Sequence, residues 1–133
     1  MLDHIQTVKD LLKEAAEIQS FLSITCSEQV QEVIERGNEL SVLIARTGKM
    51  RADAEYHRDV LLQSEIMGLL KDVAKKELPA STLNKLIDSA CKDANFLVAW
   101  CDRLNRAATH QLDYIRSLIS YEKENMRLKD IGY

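Results

Sequence analysis

The sequence has few of the residues that end helices. It contains one proline and four glycines among 133 residues. Proline ends a helix because it lacks an amide N–H and clashes with the preceding turn. The single proline, Pro79, therefore divides the chain into two long helix-compatible halves. We predict one all-α domain over residues 1–133, built on a long antiparallel, coiled-coil-like helical hairpin that turns near Pro79.

Three further shortages exclude classes of protein. No apolar run approaches the roughly 18 residues that a membrane span needs, so we predict no membrane association. The first residues show no basic segment followed by an apolar one, which predicts no signal peptide. The three cysteines are an odd number without metal-ligand spacing, which indicates a reducing compartment. Together these features predict a cytoplasmic protein.

The charge is small overall but uneven along the chain. A formal net charge of -3 gives no general bias toward nucleic acid or anionic membranes. Residues 1–35 contain two basic and seven acidic side chains, whereas residues 36–58 contain five basic and three acidic ones. We expect the acidic first arm and the basic middle to attract each other, within one chain or between chains.

Apolar periodicity predicts a helix over about residues 3–22, with Asp3 as its N-cap. Residues 23–27 interrupt it, because small hydroxyl and β-branched side chains compete with or crowd helical backbone. Thr25 and Glu28 have capping-box spacing, which predicts a second helix from about residue 26 to 77. One continuous helix through this region is the alternative. Gly37, Gly48 or Gly68 is where the second helix is expected to kink or break.

The turn is predicted at residues 78–81 and the third helix at about 82–128, with Ser81 as N-cap. Its apolar residues recur four and three apart, as in a coiled coil. The positions are Ile87, Ala90, Ala94, Leu97, Cys101, Leu104, Ala108, Gln111, Ile115 and Leu118, and Gln111 is the one polar residue among them. With Pro79 at the tip, Ala54 would lie opposite about Leu104.

A hairpin this thin has no enclosed core, so several apolar side chains need another cover. We expect the first helix, a second copy of the chain, or both to supply it, and we predict a homo-oligomeric helical bundle, with a dimer favoured. The predicted oligomer or partner surface consists of Phe96, Trp100, Leu112, Ile119 and Tyr121. Trp100 is equally compatible with burial between helices.

No motif in the sequence indicates catalysis. The segment around Gly48 and Lys49 lacks the earlier glycine and the following hydroxyl residue of a phosphate-binding loop. The Glu-x-x-His pairs of carboxylate metal sites are absent. No cysteine has the histidine arrangement of a catalytic nucleophile. We therefore predict a protein that is not an enzyme and needs no metal or cofactor.

A basic cluster is the one constellation with a functional interpretation. The candidate nucleic-acid contacts are Arg46, Lys49, Arg51, Arg58, Arg103 and Arg106, which the hairpin would bring together. Asp53, Glu55 and Asp102 are interleaved with them, so a salt-bridged solvent face is the alternative.

Residues 45–56, which read ARTGKMRADAEY, resemble a stretch in small helical proteins encoded by phages and prophages. The resemblance implies a small accessory protein beside DNA-processing enzymes and identifies no active-site residue. Two hypotheses follow. The first is a non-enzymatic, self-associating helical protein that serves as a structural or protein-interaction module. The second is a nucleic-acid-binding accessory protein in phage DNA recombination or replication.

Overall fold

The computed structural model describes residues 4–76 and 79–132, without the side chains of residues 72–76. Four helices occupy most of these residues: α1 (Val8–Leu22), α2 (Val30–Lys76), α3 (Ala80–Ala90) and α4 (Lys92–Asp130). No strand occurs in the described ranges. The long helices α2 and α4 pack against each other. The predicted all-α class and helical hairpin are therefore confirmed.

Helix α1 begins five residues later than predicted and lies across both long helices. Its N-cap is Thr7, whose Oγ1 accepts a hydrogen bond from the amide of Asp10 at 3.2 Å. The predicted cap, Asp3, lies outside the described residues. The apolar stripe of α1 is buried, as its helical spacing requires: Leu11, Ala15, Ile18 and Leu22.

Residues 23–29 leave the helical conformation between α1 and α2. The alternative of one continuous helix through this region is therefore wrong. Helix α2 also begins later than the capping-box spacing predicted, at Val30. Near this start, Ser27 accepts a hydrogen bond from the amide of Gln29 at 3.2 Å. The hydroxyl that bonds the backbone here is thus two residues beyond Thr25.

Helix α2 runs for 47 residues without a break at any of its three glycines. A glycine costs about 1 kcal/mol relative to alanine in a helix interior, which packing against other helices can offset. At Gly37 the close neighbour explains the residue: an added Cβ would lie 3.2 Å from the Ile115 side chain. This glycine permits close approach of α2 and α4.

The predicted third helix is divided at Cys91 into α3 and α4, which the sequence did not indicate. The amide of Cys91 still bonds the carbonyl of Ile87, so the interruption is local. Pro79, rather than Ser81, occupies the N-cap of α3, and no side chain caps that end. The apolar spacing runs through Cys91 unchanged, which is why periodicity gave no sign of the break.

The register of the hairpin also differs from the prediction. Asn105 bonds Thr47, and Arg51 pairs with Asp102. The predicted register placed Leu104 opposite Ala54, about six residues or 9 Å away along α2. The prediction assumed that both arms leave Pro79 as continuous helices, whereas the second arm is interrupted at Cys91.

Burial divides the molecule into two regions. In the three-helix region (residues 8–22, 33–57 and 94–115), α1 covers the hairpin. Its buried apolar residues are Leu11, Ala15, Ile18, Leu22, Val33, Leu40, Met50, Ala54, Leu97, Val98, Cys101, Leu104, Ala108 and Ile115. In the two-helix end (residues 58–76 and 79–91), Cys91 is the only buried residue among the described side chains.

Candidate functional site

The first member of the basic cluster, Arg46, is bound to α1. Its Nε donates to Glu14 Oε1 at 2.8 Å, and its Nη2 donates to Glu14 Oε2 at 2.6 Å. This two-point contact lowers the pKa of Glu14 and raises that of Arg46. Such charge-assisted pairs are stronger than neutral hydrogen bonds. Arg46 thus attaches α1 to α2 by the attraction between the acidic arm and the basic middle.

Three side chains of α2, Lys49, Asp53 and His57, hold residues 4–6; we call this contact the N-terminal clasp. Buried Asp53 accepts a hydrogen bond from the amide of Gln6 at 3.1 Å and forms an ion pair with Lys49. His57 Nε2 donates to the carbonyl of Gln6 at 2.6 Å. Lys49 also donates to the carbonyl of His4 at 3.1 Å. The clasp therefore uses charged groups to bind backbone.

The remaining basic residues lie on other sides of the hairpin. Arg51 and Arg106 both pair with Asp102, at 2.7 and 2.9 Å. Arg58 pairs with its neighbour Asp59 at 3.3 Å. Among the described residues, Arg103 is the one member of the predicted cluster without an ion pair, and it is exposed.

The structure thus separates the predicted cluster into a group bound to α1 and residues 4–6, a group at the α2–α4 seam, and isolated residues. Ion pairs within or between helices reduce the positive charge that phosphates would meet. The geometry favours the salt-bridged interpretation of these residues over a continuous phosphate-binding face.

The predicted partner surface is likewise divided. Phe96 is 62% exposed, and its ring lies 5.9 Å from that of half-buried Trp100. Trp100 Nε1 donates to Gln19 Oε1 of α1 at 3.1 Å, so the indole serves the contact between α1 and α4. Leu112 and Ile119 pack against the core, and Tyr121 is exposed far along α4.

Two apolar grooves contain parts of this surface. The larger, of about 690 Å³, lies between the start of α1 and the facing stretches of α2 and α4. Its lining includes Val8, Leu12, Val60, Leu61 and Phe96. The second, of about 480 Å³, lies between the start of α2 and the last third of α4, and includes Val30, Ile34, Ile119, Tyr121 and Met126. The first groove adjoins the two-helix end.

The two-helix end carries an exposed apolar set that the predicted surface omitted. Its members are Val60, Ile66, Met67 and Leu70 on α2 and Leu86 on α3. The signal was present in the sequence, since the apolar stripe of the second helix changes position after Arg58. In a continuous helix such a change indicates a change of packing partner.

The C-terminus of α1 is bound by Arg36 and Gln111, for which the sequence predicted no such role. Arg36 Nη2 donates to the carbonyls of Phe21 and Ile24, at 3.0 and 3.1 Å. Gln111 Nε2 donates to the carbonyl of Leu22 at 2.9 Å, and its Oε1 accepts from Arg36 at 3.0 Å. These bonds satisfy carbonyls that a helix end leaves free, and the positive charge complements the helix dipole.

The three cysteine thiols differ in burial. Burial raises the pKa of the Cys101 thiol to about 11, so thiolate is scarce there at neutral pH. Cys91 is also buried, whereas Cys26 is half-buried in the segment between α1 and α2. Within the described ranges, no three His, Cys, Asp or Glu residues are grouped to hold a metal ion.

None of the described helices combines the length and apolar character needed to cross a membrane. Comparison of the chain with protein families, with curated proteins and with solved structures finds no match. The resemblance of residues 45–56 to phage-encoded proteins stays a prediction from those residues. In the fold, this segment contributes Arg46, Lys49 and Asp53 to the contacts that fix α1 and residues 4–6.

Proposed function

We propose that this protein is a non-enzymatic, self-associating helical module of the cytoplasm, and that its two-helix ends pair to form a homodimer. The observation that supports the proposal is the exposed apolar set of the two-helix end. In the three-helix region the same long helix buries its apolar residues in a core shared with α1 and α4. Apolar faces that one chain leaves uncovered are typical of interaction surfaces.

A second copy is the occupant that the charges favour. Residues 58–91 contain five basic and five acidic side chains, so this part of the chain has no net formal charge. Two such ends can approach without net repulsion. A two-fold axis would place two α2–α3 pairs together as a four-helix bundle, the common arrangement for antiparallel helices. The dimer would then present two three-helix regions to further protein partners, as an accessory or structural module.

Analytical ultracentrifugation at micromolar concentration tests the proposal. We expect a dimer for the natural sequence and a monomer for Leu70→Glu, because a charge would enter the paired apolar faces. Val42→Glu is the matched control: both residues are on α2 and 62% exposed, but Val42 lies in the three-helix region. A monomeric natural sequence, or equal loss of the dimer in both variants, would contradict the proposal.

The nucleic-acid hypothesis is tested separately by fluorescence anisotropy with single-stranded and duplex DNA. Counterion release predicts that any binding through phosphate contacts falls steeply as salt increases. Binding at low salt that Arg103→Gln abolishes would favour this second hypothesis. Absence of binding at low salt would leave self-association as the remaining interpretation.

A further inference from the structure

Arg36 is a buried cation without a carboxylate partner. Its side chain enters the joint between α1, α2 and α4, and the residue is 8% exposed. The guanidinium lies 3.9 Å over the Phe21 ring, and Nη2 donates to two carbonyls and to Gln111. No acidic side chain of the described residues forms an ion pair with it. Buried charges are normally paired, so this one needs an explanation.

Capping of α1 uses one nitrogen of the Arg36 guanidinium, Nη2. Every hydrogen bond that Arg36 makes in the described part of the chain comes from Nη2, which leaves Nε and Nη1 without acceptors. Yet no fully buried side-chain nitrogen in that part lacks a partner. The Nε and Nη1 groups therefore retain some solvent-accessible surface.

Arg36 helps to line a cavity of about 240 Å³ at the C-terminal end of α1. The segment between α1 and α2 contributes Ser23, Thr25 and Cys26, and α4 contributes Gln111 and Tyr114. Water occupies about 30 Å³ in the liquid, and drug-sized ligands fill about 300–1,000 Å³. The cavity is therefore large enough for a small anion with some water and too small for a nucleotide.

We propose that this cavity binds a small oxyanion, a carboxylate or a phosphate group, at Arg36. An anion there would neutralise the buried charge and accept hydrogen bonds from the donors that capping leaves unused. Thr25 and Tyr114 also line the cavity, and their hydroxyls are further donors. The Ser23 hydroxyl already donates to the carbonyl of Gln19 at 2.7 Å. The site lies at the C-terminal end of α1 and includes no residue of the two-helix end, so it does not depend on self-association.

Cys26 provides a local reporter because this residue lines the same cavity. Iodoacetate and iodoacetamide are alike in size, and both alkylate a thiolate with loss of iodide, but iodoacetate alone is an anion. Cys91 and Cys101 are buried, so labelling followed by mass spectrometry reads Cys26. We expect the ratio of the iodoacetate rate to the iodoacetamide rate to be about tenfold higher in the folded chain than in urea.

Competition identifies the anion. Inorganic phosphate and acetate are added at constant ionic strength, and the proposal requires that at least one of them lowers the rate ratio. Protection by acetate alone indicates a carboxylate site, and protection by phosphate alone indicates a phosphate site. An equal ratio in folded and unfolded chains, or protection by neither anion, would overturn the proposal.

Arg36→Gln is expected to abolish the increase of the iodoacetate-to-iodoacetamide rate ratio in the folded chain. Arg103→Gln, at an exposed arginine of α4, is expected to leave this increase, which we call the enrichment, unchanged. Enrichment that persists in folded Arg36→Gln would overturn the assignment to Arg36. Because this substitution also removes the cap of α1, circular dichroism must first show that the variant is folded. If it is not folded, anion competition on the natural sequence remains the deciding measurement.

Discussion

Helix α2 passes through two regions in which its apolar side chains are buried to different extents. In the three-helix region Leu40, Met50 and Ala54 are fully buried. In the two-helix end Met67 and Leu70 are mostly exposed. The helix is continuous through both regions, so the difference comes from what packs against it: α1 and α4 in the first region and chiefly α3 in the second. Two packed helices bury a seam, whereas a third helix is what turns the seam into a core.

Polar contacts follow the same division. The buried polar residues Arg36, Thr47 and Asp53 all lie in the three-helix region. Asn105 donates to Thr47 Oγ1 at 3.0 Å and to the Ile44 carbonyl at 2.9 Å, which connects α4 to α2 at one register. Apolar stripes alone allow a helix pair to slide by a turn, and directional bonds of this kind oppose it. Among the described side chains of the two-helix end, no hydrogen bond connects α2 to α3; the Arg58–Asp59 bond lies within α2.

The largest contrast is expected from one charge placed in each region. Leu104→Asp puts a carboxylate at a position that is 2% exposed, which should cost at least about 3 kcal/mol of unfolding free energy. Leu86→Asp in α3 is the control, because that residue is 43% exposed; its cost should stay within about 0.5 kcal/mol. Urea denaturation at a concentration where both variants are monomeric measures both values.

If Leu104→Asp unfolds the chain, Leu104→Ala serves as a milder replacement, with an expected loss of about 2–5 kcal/mol. Similar losses for Leu104→Asp and Leu86→Asp would show that the two regions do not differ in burial as described.

An intermediate effect is expected from Glu14, which fixes α1 through Arg46. Glu14→Gln should lower the unfolding free energy by about 1 kcal/mol at neutral pH, since Arg46 is partly exposed. The pKa of Glu14 is lowered by folding, so its stabilising contribution is present above the ordinary value of 4.5. That contribution disappears as the pH falls through the lower pKa of the folded state.

The natural sequence should therefore lose stability more steeply below pH 4.5 than Glu14→Gln does. Glu17→Gln is the matched control, because Glu17 lies on α1 and forms no ion pair in the described part of the chain. Circular dichroism during acid titration measures the loss of stability. If Glu14→Gln and the natural sequence lost stability equally steeply, this role for the Glu14–Arg46 pair would be excluded.

The smallest effect concerns the two glycines of α2 with room for a methyl group. A Cβ at Gly48 would lie 3.9 Å from Asn105, and one at Gly68 would meet nothing within 4 Å. Alanine is favoured over glycine in a helix by up to about 1 kcal/mol. We expect Gly48→Ala to raise the global unfolding free energy by most of that amount. Gly68→Ala should act mainly on amide exchange in the two-helix end.

Amide hydrogen exchange and urea denaturation of both variants measure this difference. Local opening of a poorly buried segment is less costly than global unfolding, which is why the two glycines should differ. Equal gains in global stability would show instead that the two regions unfold as one unit.

The hairpin and most of its seam could be predicted because they depend on residue spacing. Leu97, Cys101, Leu104 and Ala108 recur four and three apart, and all four are buried. The attraction between the acidic arm and the basic middle was also predicted in outline, and it takes the form of the Glu14–Arg46 pair. The division of the third helix at Cys91 could not be predicted, because neither proline nor glycine marks it.

The candidate site was harder to predict because it depends on distant residues. The N-terminal clasp joins Gln6 to Asp53 and His57, about 50 positions away, and such pairing has no local signal. Arg36 belongs to the basic middle by composition, but its role arises from where α1 ends. The charge count therefore identified which residues are basic and could not assign the partner of each one.

The position of Thr7, the N-cap of α1, determines how much of the hairpin α1 covers. Helix α1 starts there, and residues 4–6 are held against α2 by the clasp. Each additional helical turn before Thr7 would extend the covering by about 5.4 Å toward Val60 and Phe96. The length of this short helix thus sets the boundary between the covered and the uncovered part of the hairpin, and an earlier or later start of α1 would shift that boundary along α2.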